Sequence, residues 1–257
     1  MGILGCSSGR IEVLLLALRS FADGVLFSEV FGQGRPRVLA LHGWGRRGAD
    51  FKQSLHDVSA FAPDLPGFGA SPKPDSVIGA DGYADIVAQM LDEFDEPPVL
   101  VGHSFGGRVA VCLAARMPKR VGPLVLTGVP LIRREAKPPS MTYRTIRTLN
   151  ELGLISDRRL EVERQKSGSA DYRAAQGVMR DILVKVVNEG YQDQLRQIEQ
   201  PVKMLWGEND EEVPVEVARV AGGLLGDSDL EILQGVGHHV PIEAPEALRR
   251  VIDSVMS

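Results

Sequence analysis

The chain has little that would mark it for an unusual environment. Of 257 residues only two are cysteine, Cys6 and Cys112, which excludes a disulfide framework and suits a reducing interior. Cys112 lies in the apolar stretch Val109, Ala110, Val111, Leu113 and reads as a small core residue more readily than as a reactive thiol. Aromatics make up 5% of the chain and no excess of basic charge occurs, the formal net charge being −5. That balance gives no reason to expect nucleic acid or another polyanion as a partner. No internal repeat or low-complexity tract is present.

Long hydrophobic runs are missing too. The apolar stretch 13–18 spans six residues and follows Glu12, whereas a secretory signal needs a basic start and about 7–15 apolar residues. A membrane span needs about 20, so no stable membrane insertion is expected. Met1-Gly2 is a poor myristoylation match because position 6 is Cys6. Ile3-Leu4-Gly5-Cys6 lacks the apolar segment a lipoprotein box requires. The expectation is a soluble, cytoplasmic protein.

What is present is a rhythm. Short apolar runs at 37–41, 58–62, 98–102, 124–128, 202–206 and 230–233 alternate with helical stretches. They read as buried strands of a mostly parallel sheet with helices on both faces, an α/β architecture. Residues 25–31 alternate in polarity and reach Gly32-Gln33-Gly34, which predicts an antiparallel strand turning into 37–41; stretch 14–18 fits either an edge strand or a helix. Helices are expected at 83–94, 104–117, 214–225 and 244–256, placed by Pro118, Pro97-Pro98 and Pro214.

One segment breaks that rhythm. Residues 132–200 carry no convincing strand, and helical spacing appears at 143–152, 158–165 and 172–188. The expected organisation is therefore a core of 1–131 and 201–257 with a helical cap, or lid, inserted at 132–200. A second small domain unrelated to the site is the alternative. The segment holds 13 basic against 10 acidic side chains, so a basic lid favouring anionic substrates competes with plain solvated helix faces, the preferred reading.

Chemistry is concentrated in Gly102-His103-Ser104-Phe105-Gly106-Gly107, set between an apolar strand and a helix. Gly-x-Ser-x-Gly is weak alone, but this context makes it a nucleophile elbow. The turn would expose the Ser104 hydroxyl, and side chains at 102 and 106 would collide with strand and helix. A serine hydroxyl needs a base. Of His42, His56, His103, His238 and His239, His238 lies in a loop beyond a strand, where sites form in parallel sheets. His56 reads as surface, and His103 is expected to point away from the attack side in a structural role. Asp210 follows the strand at 202–206 and is the candidate for the orienting acid. Glu208, Glu211 and Glu212 compete and read as a solvated acidic loop. For an oxyanion the backbone N–H groups of Phe105 and Trp44 are the candidates. The Trp44 ring either lines the pocket or packs in the core. No metal is expected, because the histidines lack a neighbouring Cys/Asp/Glu cluster with ligand spacing, and no cofactor is called for.

The stretches LHGWG at 41–45, DLPGFGAS at 64–71, VGHSFGG at 101–107, WGENDEEVP at 206–214 and GVGHHVPIEAPE at 235–246 together resemble the α/β-hydrolase superfamily, in its branch of capped bacterial serine esterases. The resemblance spans nearly the whole chain except the first 24 residues and the cap. It implies Ser104 as nucleophile, His238 as base and Asp210 as acid. It also favours His238 over His239, since the first Glu of the family's E-x-P-E tail, Glu243 here, follows the catalytic His by five residues. Pro241 is one residue later than in many relatives. Haloalkane dehalogenases and epoxide hydrolases are similar but carry Asp at the nucleophile position. Proline iminopeptidases usually show Gly-Gly-Ser-Trp-Gly.

The resulting expectation is hydrolysis of small or medium carboxylic esters. Thioester, lactone or carbon–carbon bond hydrolysis and perhydrolysis fit the same three residues. A non-hydrolytic small-molecule-binding protein or receptor on this fold is the alternative from another class. The cap's aromatics, Tyr143, Tyr172 and Tyr191, do not identify a substrate, and the oligomeric state is open.

Overall fold

The computed structural model describes residues 18–133, 141–167 and 170–256. Cys6 and the alternative assignments for 14–17 lie outside them. Eight strands form one sheet in the order β1-β2-β4-β3-β5-β6-β7-β8: β1 Arg19–Phe21, β2 Leu26–Phe31, β3 Val38–Leu41, β4 Ala60–Asp64, β5 Val99–His103, β6 Leu124–Thr127, β7 Val202–Gly207 and β8 Ser228–Leu233. From β4 to β8 every pairing is parallel.

Strand alternation divides the interior in two. Leu39, Leu41, Leu100, Leu124 and Leu126 face one core, while Val38, Ala40, Val99, Val101 and Val125 face the other, as a period of two requires. The first face is covered by α2 Ala80–Ala88, α3 Phe105–Arg116 and α9 Val215–Gly222; the second by α1 Lys52–Leu55, α10 Val240–Glu243 and α11 Pro245–Met256. Both faces being buried explains why β3 to β6 read as unbroken apolar runs.

Three expectations change. β2 is antiparallel as expected, but it pairs with β4, through Phe27↔Asp64 to Phe31↔Ala60, and not with the strand it turns into. β3 lies between β4 and β5, a position occupied by parallel partners on both sides. β8 is an edge strand with Ile232 exposed, not a buried one. The helix expected at 172–188 is split into α6 Ala170–Ala174 and α7 Val178–Val187, because Gly177 adopts φ 55° between them, a backbone conformation that breaks a helix.

Between β6 and β7 the described chain forms α4 Met141–Glu151, α5 Asp157–Ser167, α6, α7 and α8 Gln192–Gln197. Its two halves pack differently. Met179, Ile182, Leu183, Val186 and Leu195 are buried in the same core as α3. No residue of α4 is buried, and Met141, Leu152 and Leu154 are exposed. Two arginines of the insertion pair on the surface, Arg147 with Glu151 and Arg196 with Asp193, in keeping with solvated helix faces.

Candidate active site

Ser104 sits between β5 and α3 at φ 49°, ψ −114°, a strained conformation worth about 1–3 kcal/mol that the surroundings must hold. They do so through Ser104 N–H donating to the Thr127 carbonyl at 2.9 Å, and Gly107 N–H donating back to the Ser104 carbonyl at 3.1 Å. The two flanking glycines are required for space. A Cβ on Gly102 would lie 2.5 Å from Gly107 Cα, and one on Gly106 would lie 2.1 Å from the Leu41 carbonyl oxygen. Strand and helix are thus as close as the sequence pattern demanded.

His238 is brought from the loop after β8. Its Nδ1–H donates to Asp210 Oδ2 at 2.8 Å, with both side chains buried, so Nε2 carries the free lone pair. Asp210 itself is held at the end of β7. Its Oδ1 accepts the N–H groups of Val213 at 2.7 Å and Glu212 at 3.0 Å. Burial alone would lower the His238 pKa; the hydrogen bond and charge of Asp210, aided by Glu212 and Glu243, outweigh it and leave the pKa raised above 6.5. Glu243 fixes the loop on either side of the imidazole, accepting from Gly237 N–H at 2.7 Å and His239 N–H at 2.9 Å. Among the described residues no hydrogen bond joins Ser104 Oγ to His238. Both nevertheless line one cavity of about 240 Å³, with Gly43, Trp44, His103, Asp171, Glu212 and His239 also in its wall.

The loop after β3 is anchored from beneath. His42 Nδ1 donates to the Gly43 carbonyl at 2.7 Å and Nε2 accepts Leu65 N–H at 2.8 Å. Burial lowers its pKa to about 4, so the ring is neutral and can serve both roles. Asp64 accepts from Gly48 and Ala70 N–H groups, each at 2.8 Å, tying the loops after β3 and β4 together. Among the described residues the Trp44 and Phe105 N–H groups donate to no protein acceptor. The Trp44 ring does both things expected of it as alternatives, lining the cavity and packing edge-on against Phe105 at 5.3 Å and Phe68 at 4.9 Å.

Two readings are corrected. His103 does not point away from the site. It closes β5 opposite Thr127, donates Nδ1–H to that residue's carbonyl at 3.1 Å, and lays its ring 4.9 Å from that of His238. Gly43 leaves it room, since a Cβ there would lie 3.0 Å from His103 Cδ2. His103, which the sequence keeps apart from His238 and His239, meets them in space. Glu212, expected to be merely solvated, is exposed but stands 3.5 Å from His238 Nε2. His56 is exposed, as expected.

Sequence reasoning missed Gly128, which follows β6 at φ 58°; a Cβ there would meet the His238 ring at 2.9 Å. It also missed Asp171 of α6, whose carboxyl pKa is raised by partial loss of water and then by Glu212. The segment between β6 and β7 therefore contributes an acid to the cavity wall, which opposes the basic-lid reading. Arg46, also in the wall, is paired with Asp50 at 2.6 Å.

A strand–elbow–helix serine and a buried His–Asp pair on one open sheet define a hydrolase scaffold. The chain belongs to the alpha/beta hydrolase family, whose model matches residues 38–251. It is similar to a 2-hydroxy-6-oxo-2,4-heptadienoate hydrolase of Pseudomonas putida, 27% identical over 251 residues, covering 88% of this chain and 90% of that protein. A pimeloyl-[acyl-carrier protein] methyl ester esterase of Vibrio parahaemolyticus is 29% identical over 213 residues, covering 74% and 82%. A crystal structure of a serine hydrolase involved in carbazole degradation superposes with a TM-score of 0.71 at 23% identity, covering 93% of this chain and 98% of that one, a likeness of fold. Among the described residues no helix is long and apolar enough to cross a membrane.

Proposed function

We propose that this hydrolase cleaves small or medium carboxylic esters through an acyl-enzyme formed on Ser104. The observation that carries the reading is one cavity lined by a strained serine, by an imidazole whose free lone pair is fixed by a buried carboxylate, and by Trp44, with the Trp44 and Phe105 N–H groups unpaired among the described residues. The Ser104 oxygen attacks the ester carbonyl carbon and His238 Nε2 takes its proton. Asp210 holds the tautomer and stabilises the imidazolium. The N–H groups of Trp44 and Phe105 donate to the developing oxyanion, one such donor being worth about 3 kcal/mol. The imidazolium then returns its proton to the departing alcohol. Water, deprotonated by His238, attacks the acyl-enzyme, and the imidazolium returns that proton to the departing Ser104 oxygen, which releases the acid and the free serine.

The segment 132–200 acts in this reading as a lid, which is supported by Asp171 of α6 lining the cavity and by buried side chains of α7 and α8 packing into the core. Asp171 and Glu212 make the mouth acidic, which favours uncharged esters over anionic ones. A second reading, hydrolysis of a carbon–carbon bond, draws on the Pseudomonas putida relative, similar over nearly its whole length. That relative's named substrate is a carboxylate, which the two acids at the mouth would repel.

A p-nitrophenyl ester series from acetate to decanoate tests the proposal, comparing the parent with Ser104→Ala. Turnover that varies with chain length and disappears in the variant is expected. Turnover that survives in Ser104→Ala contradicts it. Ester inactivity together with cleavage of a 2-hydroxy-6-oxo-dienoate transfers the assignment to the second reading.

A further inference from the structure

Three imidazoles converge in the cavity. His103, His238 and His239 each offer one ring nitrogen, and the three lie within 4.8 Å of one another. Their hydrogen bonds leave one nitrogen of each ring available. His103 spends Nδ1–H on the Thr127 carbonyl, and its buried Nε2 has no partner among the described residues. His238 spends Nδ1–H on Asp210, so Nε2 keeps its lone pair. The buried Nδ1 of His239 likewise has no partner.

A ring held by a carbonyl or carboxylate through one nitrogen while the other faces a ligand is how metal-binding histidines are oriented. Unpaired buried ring nitrogens are costly unless something fills the gap. The backbone of the 238–239 loop is fixed by Glu243 at both Gly237 and His239, so two of the donors are already positioned. A carboxylate, Glu212, stands 3.5 Å from His238 Nε2 and supplies negative charge beside the cluster.

We propose that His103 Nε2, His238 Nε2 and His239 Nδ1 form an inhibitory site for zinc(II). Tetrahedral zinc sits about 2.0–2.1 Å from each imidazole nitrogen. Nitrogens within 4.8 Å of one another must therefore draw in by about an ångström, within reach of small side-chain rotations. Imidazole donors suit zinc, copper and nickel, and three of them leave a fourth position for water or Glu212. Zinc on His238 Nε2 occupies the lone pair that would accept the Ser104 proton. Binding and ester turnover thus exclude each other, and a chelator restores turnover. The inhibitory consequence rests on the esterase reading, whereas the site itself does not.

Zinc chloride added to the full-length protein tests both parts separately. Calorimetry should give one zinc per chain with a micromolar Kd. Ser104→Ala should bind it equally, which keeps the site testable even if no ester is turned over. His239→Ala, checked for folding by circular dichroism, should lose zinc affinity at least 30-fold, and zinc inhibition, read against the variant's own zinc-free turnover, should weaken by the same factor; His239→Gln serves as the second variant if the first misfolds. Absence of binding below 1 mM, or binding unchanged in His239 variants that fold, would overturn the site. Tight binding without loss of turnover would overturn its inhibitory role.

Discussion

Replacing Asp210 with Asn exchanges one carboxylate oxygen for an amide nitrogen at a position where both oxygens are engaged. One oxygen accepts two N–H groups, from Glu212 and Val213, and the other accepts the His238 Nδ1–H. An asparagine can keep the first pair only by turning its NH₂ toward His238, which then must accept at Nδ1 and carry its proton on Nε2. That tautomer cannot take a proton from Ser104. The opposite flip keeps the tautomer but leaves two N–H groups facing a donor, at about 1–3 kcal/mol each. The wrong tautomer should dominate, and in a serine triad it lowers kcat by about 10⁴, about 5 kcal/mol of transition-state stabilisation. Glu212→Gln, removing an exposed charge 3.5 Å from Nε2, should change kcat less than tenfold. The assay is kcat and KM for the best p-nitrophenyl ester at pH 8, with thermal melting to show both variants folded. A kcat within tenfold of the parent in Asp210→Asn, or an equal loss in Glu212→Gln, would rule out this role for Asp210.

Other expectations follow from the same geometry. Because the His238 pKa is raised and the neutral ring is the active form, kcat/KM should fall on the acid side with a midpoint above 6.5; a midpoint below 6 contradicts the account. His42 is neutral in the fold with a pKa near 4 against 6.5 for the free side chain, so the unfolded chain takes the proton first. Its contribution is complete above about pH 6.5 and disappears toward pH 4, amounting to about 3 kcal/mol. Urea unfolding at pH 7.5, 5.5 and 4.5 should show that slope in the parent and a shallower one in His42→Gln. Gly128→Ala forces φ 58° on a residue with a Cβ that meets the His238 ring. It should cost about 1–2 kcal/mol from the backbone alone and lower kcat at least tenfold, whereas Gly34→Ala, also at positive φ but with open space around it, should carry a similar backbone cost and leave kcat unchanged.

The sequence and the structure agree where one local stretch carries the whole constraint. The elbow is such a place, since β5, the turn and α3 are contiguous and the glycines at 102 and 106 are demanded by neighbours the pattern implies. Asp210 was legible because it follows a recognisable strand, and Glu243 because its spacing from His238 matches the family's tail. Non-local contacts were not legible. The pairing of β2 with β4 depends on sheet order, and Gly128 matters only because His238 arrives from 110 residues away. The orientation of His103 depends on Thr127 and on the absent side chain of Gly43. The break at Gly177 could have been noticed within the helical pattern, and Asp171 could not, because no local signal marks a surface-helix acid as cavity wall.

The central claim is that Ser104 is an activated nucleophile. A fluorophosphonate probe, followed by intact mass and peptide mapping, tests it without reference to any substrate. One adduct per chain is expected, located on Ser104, absent from Ser104→Ala and formed at least 10³-fold more slowly in Asp210→Asn. No adduct on the folded parent, or an adduct on another residue, would contradict it.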